Sequence, residues 1–280
     1  MTRQEFKQKC IELRKQNFTL TEMVKILQRS KTSIYFHIKK ISKSNVLENK
    51  LHQIKKNTAD KIRLPKGISL LNRHPINFSS WDAKLVDLFA HILFDGEINR
   101  WGIAYNNRSK VLLENFEKNM EFVYLYKPAK YLNKLTGVIR LGYHNVELSI
   151  FAKEKTSFLL KNILTFDKEL QKSFLRAFFN DEGSIYFQIN KKTRRIKGAQ
   201  HNNDILFLIQ DLLRVFNIES TVDTRFHEII IGRRKNLEKF AEEINFAPGL
   251  CVNGNRSNSI WKKSLEKREI LNMALKSYLV

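Results

Sequence analysis

The sequence predicts an α+β fold in which one unit occurs twice, preceded by a small all-α module. Residues 88–96 (LFAHILFDG) and 175–183 (LRAFFNDEG) share one pattern, an apolar helix that ends on an acid and is stopped by glycine. In both copies a strand-like alternation follows, and then an Asn-Asn pair and a further helix. The first 45 residues contain three short helical patterns. Together these observations predict the order helix, strands, helix, strands, helix, repeated once.

The N-terminal module is predicted from capping signals and apolar spacing. A first helix covers 5–16, and Thr19 followed by Glu22 is a capping box that opens a second helix. A third helix begins after the turn at Arg29 and Ser30. Two short helices joined by a tight turn are typical of a helix-turn-helix, although a three-helix module for dimerisation or partner docking has the same pattern.

The outward face of the third helix combines hydroxyl groups, one aromatic ring and lysines, which suits a DNA major groove. These residues are Thr32, Ser33, Phe36, Lys39, Lys40 and Lys43. A charged run is also the ordinary composition of a solvated face, so the lysines alone do not decide between the two interpretations.

The composition divides the chain into four predicted parts. Residues 1–45 are the helix-turn-helix module, and 46–78 are a linker that is charged, poor in aromatic residues and contains Leu64-Pro65-Lys66-Gly67. Within the linker, Val46 to Ile54 has a partly helical pattern. Residues 79–172 form the first repeat, and 173–280 form the second repeat with a C-terminal helix.

The elements of each repeat follow from periodicity. Ser79 and Ser80 are the predicted caps of the first motif helix. In the first repeat we predict strands over 98–105, 121–126, 137–143 and 147–151, and helices over 109–119 and 158–164. In the second repeat we predict strands over 184–190, 195–200, 220–224 and 228–231, and helices over 204–216 and 237–244.

The two motif helices are predicted to pack on each other. Ala90 lies five residues before Asp95, and Ala177 lies five residues before Glu182. Helices that cross closely need small residues at the contact. The acids at the two helix ends should therefore converge, and two close carboxylates repel each other unless a divalent cation is shared between them. His91, within the first helix, is expected to be a packed interface residue.

Both stretches resemble the motif of the LAGLIDADG homing endonuclease family, over about residues 79–265. The resemblance implies a pseudo-twofold, duplicated LAGLIDADG fold with αββαββα repeats. It also implies a monomer that binds double-stranded DNA and cleaves phosphodiester bonds at a specific site, with a gene that an intron or intein can carry. Asp95 and Glu182 stand at the catalytic acidic position and would bind Mg²⁺, which lowers the pKa of a water molecule and neutralises phosphoryl charge.

The family's active sites also contain basic or amide side chains, for which this sequence offers three candidates. Lys153 and Arg233 follow the predicted last strands of the two repeats, and Lys262 lies near the C-terminus. Phosphate contact or simple solvation is the alternative role for each of them.

In the second repeat a strand face of amide and aromatic groups lies beside basic residues, which suits groove reading and phosphate contact. These residues are Tyr186, Gln188, Asn190, Arg194, Arg195 and Lys197. An ordinary solvent-facing sheet surface is the alternative.

Charge points to a polyanionic partner. The chain has 50 Lys and Arg against 28 Asp and Glu, a net charge of +22, and its first 66 residues contain 17 of the basic residues and five acids. Two distant cysteines predict neither a disulfide framework nor a zinc site. With no apolar run of 18 residues and no signal-like start, we expect an intracellular protein, cytoplasmic, nucleoid-associated or organellar, without a membrane span.

Two departures from the family pattern keep rival functions open. The distance from the acid to the Asn-Asn pair is 11 residues in the first copy and 20 in the second, so the first hairpin is shorter. Phe94 stands where a small residue usually precedes the acid. A non-cleaving DNA-binding regulator and an RNA-binding maturase are the alternatives to the nuclease.

Overall fold

The computed structural model describes residues 2–60, 74–188, 190, 193–252 and 261–278. The chain forms two compact units, Met1–Asn72 and Arg73–Val280. The predicted linker residues 61–73 lie outside the described residues, as does Ile189 of the predicted strand 184–190.

The first unit contains the helices α1 (Arg3–Lys15), α2 (Leu20–Leu27), α3 (Lys31–Ile38) and α4 (Asn45–Asp60). The predicted capping box is present, because Thr19 Oγ1 accepts from the backbone N–H of Glu22 and the Glu22 carboxylate accepts from that of Thr19 at 2.8 Å. The first three helices enclose a small core of Cys10, Leu13, Met23, Ile34 and Ile38. Helix α4 covers 46–60 of the segment that the sequence analysis treats as a linker, a longer helix than its Val46–Ile54 pattern predicts.

The second unit begins with the first repeat. It consists of α5 (Ala83–Phe94), β1 (Gly96–Asn99), β2 (Gly102–Asn107), α6 (Lys110–Met120), β3 (Ala129–Leu132), β4 (Ile139–Tyr143) and α7 (Val146–Asn162), with a short 3-10 turn at Ile163–Thr165. Its four strands form an antiparallel sheet in the order β1-β2-β4-β3.

The second repeat has the same succession. It consists of α8 (Lys168–Asp181), β5 (Gly183–Gln188), β6 (Thr193–Ala199), α9 (Asn203–Val215), β7 (Thr221–Asp223), β8 (Glu228–Ile231) and α10 (Arg234–Glu243). The sheet order β5-β6-β8-β7 matches that of the first repeat, which confirms the predicted duplicated α+β fold. A two-residue ladder between β9 (Cys251–Val252) and β10 (Leu265–Glu266) follows, and then α11 (Lys267–Lys276), which packs on β5.

Several details of the first repeat differ from the prediction, among them β3, which was not predicted. Asp82 caps α5 in place of Ser79 or Ser80, since its carboxylate accepts from Leu85 N at 2.8 Å. The strand predicted over 98–105 is interrupted by a turn at Arg100 and Trp101. The strand predicted over 121–126 is wrong, because turns bound to the Met120 carbonyl continue α6 there. The strand predicted over 147–151 is also wrong, because these residues belong to α7.

The reason for the helix at 147–151 is a cap together with a buried stripe. The Asn145 side chain accepts from Leu148 N at 3.0 Å and starts the helix. Leu148, Ala152, Thr156 and Leu159 then recur at helical spacing and are buried. The apolar spacing within 147–151 is compatible with a short strand as well as with a helix. The Asn145 cap is the feature that favours the helix.

The core of the second unit is organised around α5 and α8, which pack directly against each other. Ala90 and Ala177 are fully buried there. The Phe94 ring lies 5.4 Å from that of Phe174 and 5.1 Å from that of Phe178, centroid to centroid, so it joins the helix interface. None of the helices in the described ranges is long and apolar enough to span a membrane.

The motif glycines are required where each helix turns into its strand. A Cβ atom on Gly96 would lie 2.3 Å from the Ile92 carbonyl oxygen, and one on Gly183 would lie 2.2 Å from that of Phe179. Gly232, which follows β8, differs from the motif glycines, because a Cβ atom there would have no heavy atom within 4 Å apart from those of the glycine itself and its two chain neighbours.

We expect Gly96→Ala and Gly183→Ala to lower the free energy of unfolding by about 1–3 kcal/mol, since backbone must move to admit the methyl group. Gly232→Ala is the matched control and should stay within about 0.5 kcal/mol of the wild type. Urea unfolding followed by tryptophan fluorescence measures the second unit selectively, because Trp81, Trp101 and Trp261 all lie in it. Equal losses in all three variants would contradict this explanation.

Candidate active site at the ends of the paired helices

The two motif acids occupy equivalent positions. Asp95 is the C-terminal cap of α5, and Glu182 is that of α8. Each is half-buried and is followed by the glycine that begins the first strand of its repeat. A carboxylate at a helix C-terminus faces the negative end of the helix dipole, so this placement favours a nearby cation.

A cleft of about 670 Å³ lies beside these helix ends. Residues from the first repeat, the second repeat and the C-terminal segment line it. The polar or charged lining includes Asp95, Asn107, Asp181, Tyr186, Lys197 and Lys267, whereas Glu182 adjoins the lining residue Asp181 and is not itself part of the lining. Both repeats and the C-terminal segment therefore contribute to one site.

Both motif acids have raised pKa values, because each is buried beside other carboxylates. Burial, and then the charge of Asp181, raises the pKa of Asp95 to about 7. Burial, and then the charges of Asp95 and Asp181, raises the pKa of Glu182 to about 7. Carboxylates whose ionisation is disfavoured by burial and by neighbouring negative charge would gain from a divalent cation.

The two acids differ in their hydrogen bonding. Asp95 Oδ2 accepts from Asn107 Nδ2 at 2.8 Å, which partly offsets the cost of its ionisation. The Glu182 carboxylate accepts no hydrogen bond from the residues that the structure describes, although its backbone N–H continues the helix to the Phe178 carbonyl. Glu182 is therefore the acid with the greater unused capacity for a ligand.

Asp181, immediately before Glu182, is the centre of a buried network. Its side chain is fully buried, and its Oδ2 lies 2.6 Å from His91 Nδ1 in the opposite motif helix. Its Oδ1 accepts from the Tyr105 hydroxyl at 2.8 Å and lies 3.4 Å from Asn107 Nδ2. Asn107 thus contacts the carboxylates of both Asp181 and Asp95.

The surroundings of His91 favour its charged form. Burial lowers the pKa of His91, but the negative charges of Asp181 and Asp87 outweigh it and raise that pKa well above its ordinary value. The Nε2 atom lies 3.5 Å from Asp87 Oδ1, so each ring nitrogen of His91 faces a carboxylate. The sequence analysis expected a packed interface histidine, and His91 is buried between the motif helices.

Lys267 brings a cation to the end of α8. It is the first residue of α11, and its Nζ donates to the carbonyl oxygens of Gly183 at 2.7 Å and Asn180 at 2.9 Å. Burial lowers the pKa of Lys267 to about 8, while the charges of Asp181, Asp95 and Glu182 oppose this shift. The ammonium group satisfies carbonyls that the helix end leaves without partners.

The three basic residues predicted for the active site do not line the described cleft. Lys153 is exposed on α7, because the strand that was to precede it is helical. Arg233 follows β8 as predicted, but its side chain is exposed and pairs with Glu219 at 3.1 Å. Lys262 is next to Trp261, which lines the cleft.

The predicted strand face of the second repeat is partly engaged within the fold. Tyr186 is exposed on β5, with the Arg195 guanidinium 5.6 Å from its ring centroid. Lys197 pairs with Glu228, and Arg194 donates to the Ser277 hydroxyl and carbonyl. Gln188 ends β5, and Asn190 is exposed in the following turn. Arg194 thus secures α11 on the core side of the sheet.

In the first unit, α3 ends at Ile38, so the predicted outward set is shorter than a full helix face. Thr32 and Phe36 are exposed on the helix, and the amide of Ser33 donates to the Ser30 cap. Lys39 is the C-terminal cap and lies 5.0 Å above the Phe36 ring, while Lys40 and Lys43 follow the helix.

Four residues of the site were not predicted from the sequence, namely Asp181, Asn107, Tyr105 and Lys267. Asn107 belongs to the Asn-Asn pair that follows the first motif, and Asp181 directly precedes Glu182. Their positions beside the motifs could therefore have identified both from the sequence. Lys267 had none, because it lies 85 residues beyond Glu182 in the chain and only the fold returns it to the end of α8.

Asp95 and Glu182 are suited to one class of metal ion, the hard divalent cations such as Mg²⁺. No group of three or more His, Cys, Asp and Glu side chains within the described part of the chain is arranged to hold a metal ion. Mg²⁺, however, is usually held by one or two carboxylates together with substrate phosphate oxygens and water. Asp95 and Glu182, each with its pKa raised to about 7, fit that requirement.

Residues 169–245 match the model of the LAGLIDADG-like domain family, which covers the second repeat from α8 to α10. The chain therefore contains a LAGLIDADG-like domain, as its resemblance predicted. No curated protein matches the chain.

Solved structures are similar at low identity. Mesophilic variants of the homing endonuclease I-DmoI match with 17% identity over 59% of this chain and 94% of that chain, at a TM-score of 0.46. I-DmoI in complex with DNA and Mn matches with 17% identity over 58% and 96%, at 0.45. The N-terminal LAGLIDADG domain of DUF199/WhiA matches with 21% identity over 62% and 89%, at 0.44. At these identities the likeness concerns the fold alone.

We expect Asp181→Asn to lower the free energy of unfolding by about 3–5 kcal/mol, because it leaves the buried His91 without its main counter-charge. Asp87→Asn should cost much less, since Asp87 is partly exposed and lies farther from the imidazole. Tryptophan-monitored urea unfolding compares the two variants. Similar small losses in both would show that the His91–Asp181 contact contributes little to stability.

Proposed function

We propose that this protein binds double-stranded DNA at specific sites and cleaves it as a Mg²⁺-dependent endonuclease of the LAGLIDADG homing type. The observation that carries the proposal is the convergence of Asp95 and Glu182 at the ends of two packed helices, where each half-buried acid has its pKa raised to about 7. The LAGLIDADG-like match over 169–245 supports the same activity.

Asp95 and Glu182 are the proposed metal ligands. A bound Mg²⁺ would supply a water of lowered pKa and neutralise charge on the phosphate. Asn107 would keep the Asp95 carboxylate in place through its hydrogen bond. Lys267 lies at the same helix end and would add positive charge beside the scissile phosphate.

Duplex DNA is the proposed partner because of the net charge of +22. On the second sheet, the exposed Tyr186 and the half-buried Arg195 form an aromatic and basic pair on the face opposite the buried Phe187. Such a pair can contact both bases and phosphates. The presence of two repeats within one chain supports binding as a monomer.

In the first unit we propose that α2 and α3 act as a helix-turn-helix. The exposed Phe36 with Lys39 above its ring, and the lysines that follow the helix, would face the major groove and the phosphates. This unit would add a DNA contact of its own.

A non-cleaving DNA-binding regulator is the second candidate, and one observation favours it. Asn107 and Lys267 already offset part of the charge of Asp95, because both lower its pKa against the effect of burial. A site stabilised in this way folds without a metal ion. Retention of acids at both motif positions favours the nuclease.

The decisive test is cleavage of the duplex that binds most tightly in a selection from a randomised DNA library. With Mg²⁺, the wild type should cut this duplex, whereas Asp95→Asn and Glu182→Gln should bind it and leave it intact. Lys153→Gln is a matched control outside the cleft and should cut normally. Cutting that survives both amide substitutions would refute the assignment of the acids, and a wild type that never cuts would support the regulator.

A stability measurement separates lost chemistry from a damaged fold. An acid whose pKa is about 7 in the folded protein and lower in the unfolded chain stabilises the fold at low pH, and this contribution is lost as the pH rises through 7. In metal-free buffer above about pH 8, both amide variants should therefore be as stable as the wild type or slightly more stable.

We also expect deletion of residues 1–66 to leave a folded remainder that binds DNA more weakly and with a smaller salt dependence, since 17 basic residues are removed. Circular dichroism melting and binding titrations at two salt concentrations measure both effects. Aggregation or non-cooperative melting of the truncated protein would show that the N-terminal segment belongs to the core.

A further inference from the structure

Three hairpin turns of the two sheets lie within the described residues, and each presents a basic residue followed by an exposed large apolar one. They are Arg100-Trp101 between β1 and β2, Lys134-Leu135 between β3 and β4, and Arg225-Phe226 between β7 and β8. The exposed fractions are 60% for Trp101, 98% for Leu135 and 69% for Phe226. The repeat is informative because Leu135 and Phe226 occupy the same turn of two duplicated sheets.

The Leu135 turn is held rigidly. Asn133 Oδ1 accepts from the backbone amides of Leu135 at 3.0 Å and Thr136 at 3.2 Å. Arg108 Nε donates to the Thr136 carbonyl at 2.7 Å and ties the turn to the residue that follows Asn107. The leucine is therefore fixed in solvent by the turn, where it contributes no burial to the fold.

The Phe226 turn is held in an analogous way. Asp223 Oδ1 accepts from Arg225 N at 3.1 Å, and His227 Nδ1 lies 3.0 Å from Asn203 Oδ1. The His227 carbonyl accepts from Gln200 N at 2.9 Å. Arg225 lies 5.8 Å from the centroid of the Phe226 ring, so the cation accompanies the aromatic side chain.

Strand register places both turns at the sheet ends that adjoin the motif acids. Ile139, where β4 leaves the first turn, pairs with Asn107, whose amide binds Asp95. Glu228, where β8 leaves the second turn, pairs with Ala199, whose N–H donates to the Glu182 carbonyl at 3.3 Å. Asp95 and Glu182 are thus each linked, through the strand register of their own repeat, to one turn with an exposed apolar residue.

We propose that Leu135 and Phe226 are a pair of wedges that enter duplex DNA between base steps on the two sides of the candidate active site. Apolar side chains inserted in this way unstack and bend the duplex, and the preceding Lys134 and Arg225 would hold the adjacent phosphates. Duplex DNA is the occupant because a basic residue directly precedes each apolar side chain in a protein of net charge +22. This inference rests on the proposed DNA binding.

The wedges imply a form of sequence selection that needs no hydrogen bond to a base. Pyrimidine–purine steps unstack more readily than other steps, so they should be preferred where the wedges enter. The inserted side chains would also fix the path of the DNA past the two acids. Trp101, at the opposite end of the first sheet, lies outside this pair.

The test uses the full-length protein, the duplex selected from the randomised library, and copies of it with 2-aminopurine at successive steps. Wild-type binding should raise 2-aminopurine fluorescence at two separated steps and bend the duplex in a fluorescence energy-transfer assay. Leu135→Ala should abolish the first signal and Phe226→Ala the second. The double variant should bind the intact duplex at least roughly tenfold more weakly and bend it less.

A mismatch at the two steps supplies a second readout, because it lowers the cost of unstacking in advance. The wild type should prefer the mismatched duplex, and the double variant should lose most of this preference. Ile150→Ala on α7 and Phe207→Ala on α9 are matched controls, since these side chains are 64% and 45% exposed but lie on helices. Both controls should behave as the wild type.

Two negative outcomes are distinguishable. Tight binding with unchanged 2-aminopurine signals in the turn variants would overturn the wedges and leave the proposed function intact, as would a bend that persists in the double variant. Failure of the wild type to bind any duplex would overturn both proposals. Asp95→Asn should unstack and bend the duplex like the wild type, because the deformation precedes cleavage.

Discussion

The contact between His91 and Asp181 across the interface of α5 and α8 is the interaction on which the rest of the second unit depends. It joins one repeat to the other at 2.6 Å, with both side chains buried. Because Asp181 directly precedes Glu182, and His91 lies one helical turn before Asp95, the contact also sets where the two motif acids stand. The packing of the helices and the position of the acids are therefore one structural feature.

Burying such a pair is costly unless every polar atom is satisfied. Asp181 accepts from Tyr105 as well as from His91, and the second imidazole nitrogen faces Asp87. The same burial that strengthens this network raises the pKa of Asp95 and Glu182. Burial therefore both stabilises the helix interface and raises the pKa values of the acids at the helix ends. Groups with shifted pKa values are typical of functional sites.

More of the fold than of the candidate site can be predicted from the sequence. Helix, acid and glycine recur at Asp95 and Glu182 because a turn into a strand leaves no room for a Cβ, so local pattern reveals both motifs. The strand predicted at 147–151 failed because Asn145 caps a helix that short-range apolar spacing cannot distinguish from a strand. Lys267 reaches the end of α8 only through the packing of α11, and no local pattern encodes such a return.

Duplication within one chain allows the two halves to differ, and they do so at the acids. Asp95 is held by Asn107, from the second strand of its own repeat. The helix that ends in Glu182 is instead capped by Lys267, from the C-terminal segment beyond both repeats. In the first repeat, α7 covers β1 and β2, whereas in the second, α11 covers β5 and carries the lysine with it. Lys267 thus reaches the end of α8 through the same helix that packs on the second sheet, and its charge acts on Asp95 as well as on Glu182.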